Sequence, residues 1–322
     1  MNTATKLLCV GAALVGSYTC ALAEGYPSQP IKIIVGYQPG GPTDLTARLI
    51  AAKMQTSMGQ PVLVENKVGA GSNIASEFVA ASKPDGYTLL LAAAPITWNP
   101  LVYKNVRYDV LKGFEPVANV MTAPEVLAVS TKLPAKDLKE LVALARKQPG
   151  KLSYSSSGAG GSPHLAAELL KQRAGIDIVH VPYKGASGAL NDLIAGHVDM
   201  SFMTSMSAIP HLKSGNPRAI AIASEKRLPQ LPDVPTVAEM GYPGFEAESW
   251  NGLFAPAKTP PEIVAKLNAE VNKALQDPEV RDKLTSQGAV VVGGTSQSFR
   301  SYLVKEVERW GGLLKTVKVS LD

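Results

Sequence analysis

Cysteine, aromatic residues and long hydrophobic runs are scarce in this sequence. Both cysteines, Cys9 and Cys20, lie within the first 23 of its 322 residues. A chain that loses this segment keeps no cysteine, which excludes disulfides, thiol nucleophiles and metal sites with cysteine ligands. The only long apolar run is at the N-terminus, which excludes a transporter embedded in the membrane. Aromatic residues make up 6%, whereas 28 glycines and 24 prolines indicate many loops and turns.

No excess of one charge sign points to a nucleic-acid partner. The 32 basic and 27 acidic residues are interleaved, with a formal net charge of +5. No basic stripe with aromatic residues between the charges occurs, so we predict no nucleic-acid binding. The histidines form neither H-x-x-x-H nor H-E-x-x-H, and we predict neither a metal nor a cofactor. There are four of them, His164, His180, His197 and His211.

The N-terminal segment has the pattern of a signal peptide. Lys6 supplies a positive charge, residues 7–16 are apolar, and residues 21–23 read Ala-Leu-Ala, a typical cleavage site. We predict removal of residues 1–23, a mature chain beginning at Glu24, and a periplasmic location. The alternative, a membrane anchor, would need about 20 apolar residues, more than are present. Lipidation of Cys20 is disfavoured because residues 17–19, Ser-Tyr-Thr, are a poor context for it.

Beyond this segment, short β-rich runs alternate with amphipathic stretches. Alternation of this kind predicts an α/β fold with parallel or mixed sheets that helices cover on both faces. The predicted strands are residues 31–35, 61–65, 88–92, 117–120, 126–129, 152–155, 178–181, 200–203 and 219–223. The predicted helices are residues 44–58, 72–81, 136–148, 163–174, 186–195, 261–275 and 296–314.

The length suits two sheets and therefore two domains. We expect the chain to cross between them near Pro124 and again near Glu246. Domain I would then comprise residues 24–124 and 247–322, and domain II residues 125–246, with a ligand cleft between them. The proline-rich residues 228–242 are predicted to be an ordered, extended crossing segment.

Two strand-to-helix loops carry the strongest functional signal. Both place glycines, small hydroxyl residues and exposed backbone N–H groups at a helix N-terminus, where the helix dipole favours an anion. Ser162 before Pro163 forms a good start for the second helix, and Thr43 suits the first. The alternative is that the glycines only make sharp corners. The loops are Tyr37-Gln38-Pro39-Gly40-Gly41-Pro42-Thr43-Asp44 and Ser155-Ser156-Ser157-Gly158-Ala159-Gly160-Gly161-Ser162-Pro163-His164.

The residue types and motifs absent from these loops limit the class of ligand that they could bind. Neither contains Lys or Arg, and neither fits a phosphate-binding motif, so a nucleotide is disfavoured. A small carboxylate held by backbone amides, hydroxyls and bridging water fits better. A hydrolase triad of Asp44, His164 and either Ser156 or Ser162 is conceivable, but no G-x-S-x-G motif is present. We predict no catalytic residue and expect a binding protein, with an exported hydrolase or a ligand sensor as alternatives.

Three aromatic residues are predicted to lie in loops, and each has two interpretations. Tyr37 follows the first strand, Trp98 lies in residues 94–100, and Trp250 precedes residues 251–255. A loop tryptophan can stack on a ligand ring or pack between domains. For Trp250 the packing interpretation is favoured, and for Trp98 both stay open.

Taken together, the motifs resemble the Bug receptors, the periplasmic solute-binding proteins of tripartite tricarboxylate transporters. The resemblance extends over the whole mature chain, in the same order along it. It is carried by Tyr26-Pro27, Pro39-Gly40-Gly41 with Asp44 and Ala47-Arg48, Glu65-Asn66-Lys67 with Gly69-Ala70-Gly71, Lys83-Pro84-Asp85-Gly86-Tyr87-Thr88-Leu89, Ser157-Gly158, His164-Leu165, Val181-Pro182-Tyr183-Lys184-Gly185, Asp192-Leu193, Gly196 with Val198-Asp199, and Trp250 with Gly252-Leu253 and Ala255-Pro256.

The resemblance implies a type II, clamshell-like periplasmic binding protein that closes on one small carboxylate. It also implies a monomer that serves the integral membrane subunits of a tripartite tricarboxylate system. One ligand carboxylate would lie between the two loops. The residues expected to hold it are Gly40, Gly41, Thr43 and Asp44 on one side and Ser156, Ser157, Gly158, Ser162 and His164 on the other.

Two departures from the family pattern suggest the rest of the ligand. The first loop begins with Tyr37-Gln38 instead of an apolar aromatic residue and a proline, and Thr97-Trp98 brings in a tryptophan that the family usually lacks. Both would enlarge and flatten the pocket, so we expect Tyr37, Thr97 and Trp98 to contact the ligand. An aromatic carboxylate is therefore favoured, with terephthalate as one candidate.

Overall fold

The computed structural model describes residues 25–183, 185–212, 214–317 and 319. The predicted signal peptide, residues 1–23, lies outside the described residues. Within the described part, ten strands alternate with ten α-helices, which confirms the α/β prediction. No helix of this part is long and apolar enough to cross a membrane.

The strands form one connected, mixed sheet. They are β1 (Ile31–Val35), β2 (Val62–Asn66), β3 (Thr88–Ala93), β4 (Phe114–Val129), β5 (Ser153–Ser156), β6 (Val179–Pro182), β7 (Met200–Thr204), β8 (Arg218–Ile222), β9 (Glu248–Pro256) and β10 (Val290–Gly293). Their order is β2-β1-β3-β9-β4-β7-β5-β6, and β8 and β10 each also pair with β4. Strands β2, β1 and β3 run parallel, as do β7, β5 and β6. Every pairing of β4 and β9 is antiparallel.

Helices cover both faces of this sheet. They are α1 (Pro42–Met58), α2 (Asn73–Ala80), α3 (Asn99–Val102), α4 (Leu138–Lys147), α5 (Ser162–Ala174), α6 (Ala186–Ala195), α7 (Ser205–Leu212), α8 (Pro261–Gln276), α9 (Pro278–Ser286) and α10 (Ser296–Leu314). Short 3-10 helices at Ala70–Ser72 and Ala94–Thr97 precede α2 and α3.

Strand β4 differs most from the sequence prediction. Residues 117–120 and 126–129 were expected as two strands, but the structure has one strand of 16 residues. Residues 114–124 pair with β9, and residues 125–129 pair with β7 and β8. Pro124 has no N–H to donate, and it lies where the pairing partner changes, so the ladder continues through it. The division into two domains near this residue stays a prediction.

Helix α1 shows how the local sequence positions a functional loop. Ala47, Ile50 and Met54 are buried and anchor the helix on the sheet. The helix ends at Gly59, whose φ of 67° lies in the left-handed region that favours glycine. Because the apolar face fixes the helix, the N-terminal loop that follows β1 is fixed with it.

Strands β9 and β10 and helices α3, α7 and α9 were not predicted. Trp250, which the sequence placed in a loop, lies in β9 and is fully buried. It packs edge-on against Phe299 and Tyr302 of α10. The favoured packing interpretation therefore describes its surroundings better than ligand stacking does.

Candidate functional site

A cavity of about 420 Å³ lies between the loop before α1 and the loop before α5. We call it the main cavity. No Asp, Glu, Lys, Arg or His is found among the described residues that line it, so a charged ligand would meet only neutral groups. These residues are Tyr37, Gln38, Gly41, Pro42, Thr43, Ala93, Pro95, Met121, Ala123, Ser157, Gly161, Ser162, Pro163, Gly185, Ala186, Ala189, Ser201, Phe202, Met203, Thr204, Met206, Ser207, Ser249 and Asn251.

Three helices begin at the main cavity without a side-chain cap. Gly41, Gly161 and Gly185 hold the N-cap positions of α1, α5 and α6, and glycine has no side-chain oxygen to offer the first N–H groups. By contrast, the side chains of Asp137 and Thr295 cap α4 and α10, which do not border the cavity. Uncapped N–H groups and three positive dipole ends therefore meet a neutral cavity, an arrangement that attracts anions.

A fourth helix start, that of α7, adds hydroxyl groups. Thr204 and Ser207 both line the cavity. The Thr204 hydroxyl donates to Ser207 Oγ at 2.9 Å and accepts from the Ser207 backbone N–H at 3.4 Å. This side of the cavity was not predicted because α7 carries no strong start signal in the sequence.

In the first loop, Asp44 points behind the cavity. Gly40 N donates to its carboxylate at 2.9 Å, Arg48 Nε at 2.9 Å and Asn66 Nδ2 at 2.8 Å. Burial alone would raise the pKa of Asp44, but the hydrogen bonds from Arg48, Gly40 and Asn66 lower it to about 2. Asp44 is not among the residues that line the cavity, and its ionised carboxylate braces the loop, so its expected ligand contact stays a prediction.

The other residues of the first loop divide between the cavity and its surroundings. Tyr37, Gly41 and Thr43 line the main cavity, and burial raises the pKa of Tyr37. Thr43 Oγ1 accepts a 3.1 Å hydrogen bond from Nδ2 of Asn251, a residue of β9 that the sequence did not indicate. Gly40 does not line the main cavity. It borders an adjacent second cavity of about 330 Å³.

Thr97 and Trp98 are not among the residues that line the main cavity, and their expected ligand contact stays a prediction. Thr97 is buried, and its hydroxyl donates to the Ala94 carbonyl at 2.8 Å. Trp98 has 0% exposure, and its ring lies 5.2 Å from that of Trp310 in an edge-on arrangement. A ring without exposed surface has no face to offer a ligand, so the packing interpretation describes Trp98.

Some residues of the second loop line the main cavity, and others do not. Ser157 and Ser162 line the cavity, whereas Ser156, Gly158 and His164 do not, and the ligand contacts expected of all five stay predictions. Ser156 is held at 3.0 Å from Gly158 O and 2.7 Å from His180 Nε2. Ser156, Gly158 and His164 lie behind the cavity surface, because their polar atoms form hydrogen bonds with neighbouring residues.

His164 contributes to the loop as a neutral ring. Its Nδ1 accepts a 3.0 Å hydrogen bond from the Gly160 N–H, and its ring stacks on that of His180 with centroids 3.9 Å apart. Burial, and then the neighbouring His180, lower the pKa of His164 to about 4. The proton therefore lies on Nε2, since Nδ1 must be free to accept.

Asp44, His164 and the two candidate serines, Ser156 and Ser162, are not arranged as a hydrolase triad. Asp44 is bonded to Arg48, Asn66 and Gly40, and His164 Nδ1 is occupied by a backbone N–H. Ser156 Oγ lies 2.7 Å from His180 Nε2, and neither residue lines the main cavity. Among the described residues, no group of three or more His, Cys, Asp or Glu could hold a metal ion.

Comparisons with known proteins identify one family. A family model described as "Tripartite tricarboxylate transporter family receptor" matches residues 46–319. The chain is 38% identical to Protein BugT of Bordetella pertussis over 325 residues, covering 100% of both chains.

This chain is also similar to solved protein structures. Rpa4515 of R. palustris, solved with adipate, is 37% identical with a TM-score of 0.81, covering 90% of this chain and 98% of its own. MatC of Rhodopseudomonas palustris, solved with bound malate, is 36% identical with a TM-score of 0.77, covering 90% and 100%.

Proposed function

Because this chain belongs to the tripartite tricarboxylate transporter receptor family, whose members are periplasmic solute-binding receptors and not enzymes, we propose that it captures an aromatic carboxylate, with terephthalate as the leading candidate. It delivers the ligand to the integral membrane subunits of such a transporter. It does so as an exported monomer whose signal peptide, residues 1–23, is removed.

The observation that carries the proposal is the convergence of uncapped helix N-termini on a cavity whose described lining residues include no ionised side chain. One carboxylate lies between the N-termini of α1 and α5, near Gly41, Thr43, Ser157 and Ser162. Backbone N–H groups, hydroxyls and bridging water neutralise it there. Gly40, Asp44, Ser156, Gly158 and His164 act from behind, as the groups that fix the two loops.

The walls of the cavity support an apolar, flat body for the ligand. Tyr37 and Phe202 supply aromatic rings, and Pro95 and Met121 supply further apolar surface. A second carboxylate across the ring would lie toward α6 and α7, where Thr204 and Ser207 offer hydroxyls. The helix dipoles at that end favour negative charge as well.

Capture would proceed by closure of two domains, residues 24–124 with 247–322 against residues 125–246. The chain passes between them in β4 near Pro124 and again just before β9. The two passages are adjacent, since Glu125 N donates to Ala247 O at 3.0 Å. Two neighbouring connections suit a hinge, and a ligand that contacts both sides would stabilise the closed state.

The test is calorimetric titration of the mature protein, unfolded and refolded to remove any carried ligand, with terephthalate, benzoate, adipate and malate. We expect terephthalate to bind most tightly. Thr43→Val should weaken binding about tenfold, because it removes a hydroxyl and leaves Asn251 Nδ2 without that acceptor. Thr56→Val is the matched control, since Thr56 is an exposed residue of the same helix.

Each outcome has a clear meaning. Tighter binding of adipate or malate than of either aromatic acid would contradict the aromatic ligand but leave a carboxylate receptor. Equal losses in Thr43→Val and Thr56→Val would contradict the placement of the carboxylate. Absence of binding by all four acids after refolding would contradict the carboxylate itself.

A further inference from the structure

The second cavity adjoins the main cavity, and the two share five lining residues, which we call the wall. The volume of the second cavity is about 330 Å³, compared with about 420 Å³ for the main cavity. The shared lining residues are Pro42, Ala186, Met203, Met206 and Ser207.

This wall is built from side chains that can move. Met203 and Met206 are almost fully buried, and methionine is unbranched with three rotatable bonds, so its end can swing without backbone movement. The remaining members are small or are the first residues of α1 and α6. A passage between the cavities therefore needs only a change of methionine rotamers.

The second cavity changes from apolar to polar along its own surface. Leu45, Leu190 and Pro210 supply apolar groups, whereas His211 and Gln287 supply polar ones. His211 and its neighbour Pro210 are exposed to solvent whereas Leu190 is buried, so the second cavity opens to solvent near residues 210 and 211. The described lining includes no Asp, Glu, Lys or Arg. This gradient suits a chain that is apolar near the wall and polar or solvated at its end.

We propose that the receptor binds carboxylates carrying an unbranched substituent opposite the bound carboxylate, and that this substituent passes between Met203 and Met206 into the second cavity. The proposal rests on the proposed function, because the carboxylate must lie between α1 and α5 to aim the opposite end at this wall. For an aromatic ligand the class is that of para-alkyl, para-alkoxy or monoester benzoates. Ligand length is then selected by the second cavity.

Burial of apolar surface sets the expected size of the effect. A methylene group moved from water into an apolar site can contribute up to about fourfold in affinity. We therefore expect each added methylene to tighten binding about twofold to fourfold, until the chain reaches the polar end near His211. Beyond that length the gain stops, because further groups stay in water.

The experiment is calorimetric titration of the full mature chain with 4-methyl-, 4-ethyl-, 4-butyl- and 4-hexylbenzoate, beside benzoate and terephthalate. Ser187→Trp fills the second cavity, because Ser187 is exposed on α6 and lines only that cavity. Asn191→Trp is the matched control on the exposed side of the same helix, outside both linings. Gln287→Trp blocks the second cavity from its other side, which keeps the test valid if one variant does not fold.

The expected result is a stepwise gain with chain length in the wild type and in Asn191→Trp, and its loss in Ser187→Trp and Gln287→Trp. Benzoate and terephthalate should bind all four proteins alike. A flat series with normal binding of benzoate and terephthalate overturns this inference alone, as does a gain that survives both blocking variants. If the wild type binds none of the benzoates, the proposed function and this inference are both overturned.

Discussion

The indole Nε1 of Trp98 donates a 2.8 Å hydrogen bond to the carbonyl oxygen of Gly160, and both partners are buried. Trp98 follows the 3-10 helix after β3, whereas Gly160 lies in the loop between β5 and α5. The bond therefore joins the second ligand loop to a distant part of the sheet. Trp98 is itself held by Trp310 of α10, so a tryptophan expected to contact the ligand instead fixes the position of the loop before α5.

Replacement of Trp98 by phenylalanine keeps a ring in place and removes the N–H. The Gly160 carbonyl then loses its buried donor, which costs about 1 to 3 kcal/mol. We expect a lower free energy of unfolding and, because the loop is less well fixed, a severalfold loss of carboxylate affinity. Chemical denaturation and calorimetric titration measure the two effects separately.

Trp250→Phe is the matched control for Trp98→Phe. It also removes a buried indole N–H, one that bonds Glu306 Oε2 at 3.1 Å in α10. A comparable loss of stability with unchanged affinity is expected, since the ring packs against Phe254, Phe299 and Tyr302 and its N–H bonds Glu306, none of which belongs to either loop. If Trp98→Phe and Trp250→Phe lowered affinity equally, the positioning role of Trp98 would be refuted.

The two ligand loops were predictable because their signals are local. Glycines, prolines and hydroxyls between a strand and a helix are visible in residues 37–44 and 155–164, and strand and helix periodicity located β1, β5, α1 and α5 within two residues. The floor of the cavity was not predictable in this way. Met203, Ser249 and Asn251 reach it only because β7 and β9 pair with β4, a contact between residues far apart in sequence.

The roles of individual loop residues were also beyond local reasoning. Residue type alone makes Asp44 and His164 look like ligand contacts. Asp44 accepts a hydrogen bond from Asn66 of β2, and His164 stacks on His180 of β6. Both strands lie outside the two loops. Trp98 depends in the same way on Trp310. A sequence pattern identifies which loops carry function, but tertiary packing decides which side chains turn toward the ligand.

Asp44→Asn tests the brace behind the first loop. The amide cannot accept both the Arg48 guanidinium and the Asn66 amide as the carboxylate does. We expect a stability loss of about 1 to 3 kcal/mol, together with weaker carboxylate binding, because Gly40 N also loses its acceptor. Arg48→Gln should reproduce only part of this loss. Wild-type affinity in Asp44→Asn would contradict the brace.

The neutral state of His164 makes stability depend on acid. Its pKa is lowered from 6.5 to about 4 in the folded chain, so between these values the unfolded chain takes up a proton that the folded chain does not. Stability is therefore fully present above pH 6.5 and falls as the pH drops toward 4, by up to about 1.4 kcal/mol per pH unit. Burial lowers the pKa of His180 as well, and this acts in the same direction.

His164→Asn separates this contribution. The Asn side chain has an oxygen that can accept from the Gly160 N–H, but it does not titrate. Denaturation measured from pH 4 to 7 should show a shallower acid dependence than in the wild type. An unchanged slope would mean that His164 is not the group that titrates.

Glu125 should give the opposite pH dependence. It is fully buried in β4, and neither carboxylate oxygen has a hydrogen-bond partner in the described structure. Burial raises its pKa well above 4.5, so the folded chain holds a proton that the unfolded chain releases above that value. Its contribution to stability is greatest in acid and is lost as the pH rises from 4.5 toward the raised pKa.

Glu125→Gln removes this dependence without a large change in shape. At pH 7 the variant should be more stable than the wild type by about 1 kcal/mol or more, and the difference should shrink toward pH 4. Glu306→Gln is the comparison: burial raises the pKa of Glu306 as well, but its carboxylate accepts from Trp250, Trp310 and Arg309. That variant should be destabilised. A destabilised Glu125→Gln at pH 7 would instead indicate that the Glu125 carboxylate is ionised and satisfied by bound water, because only then would its charge be worth keeping inside the sheet.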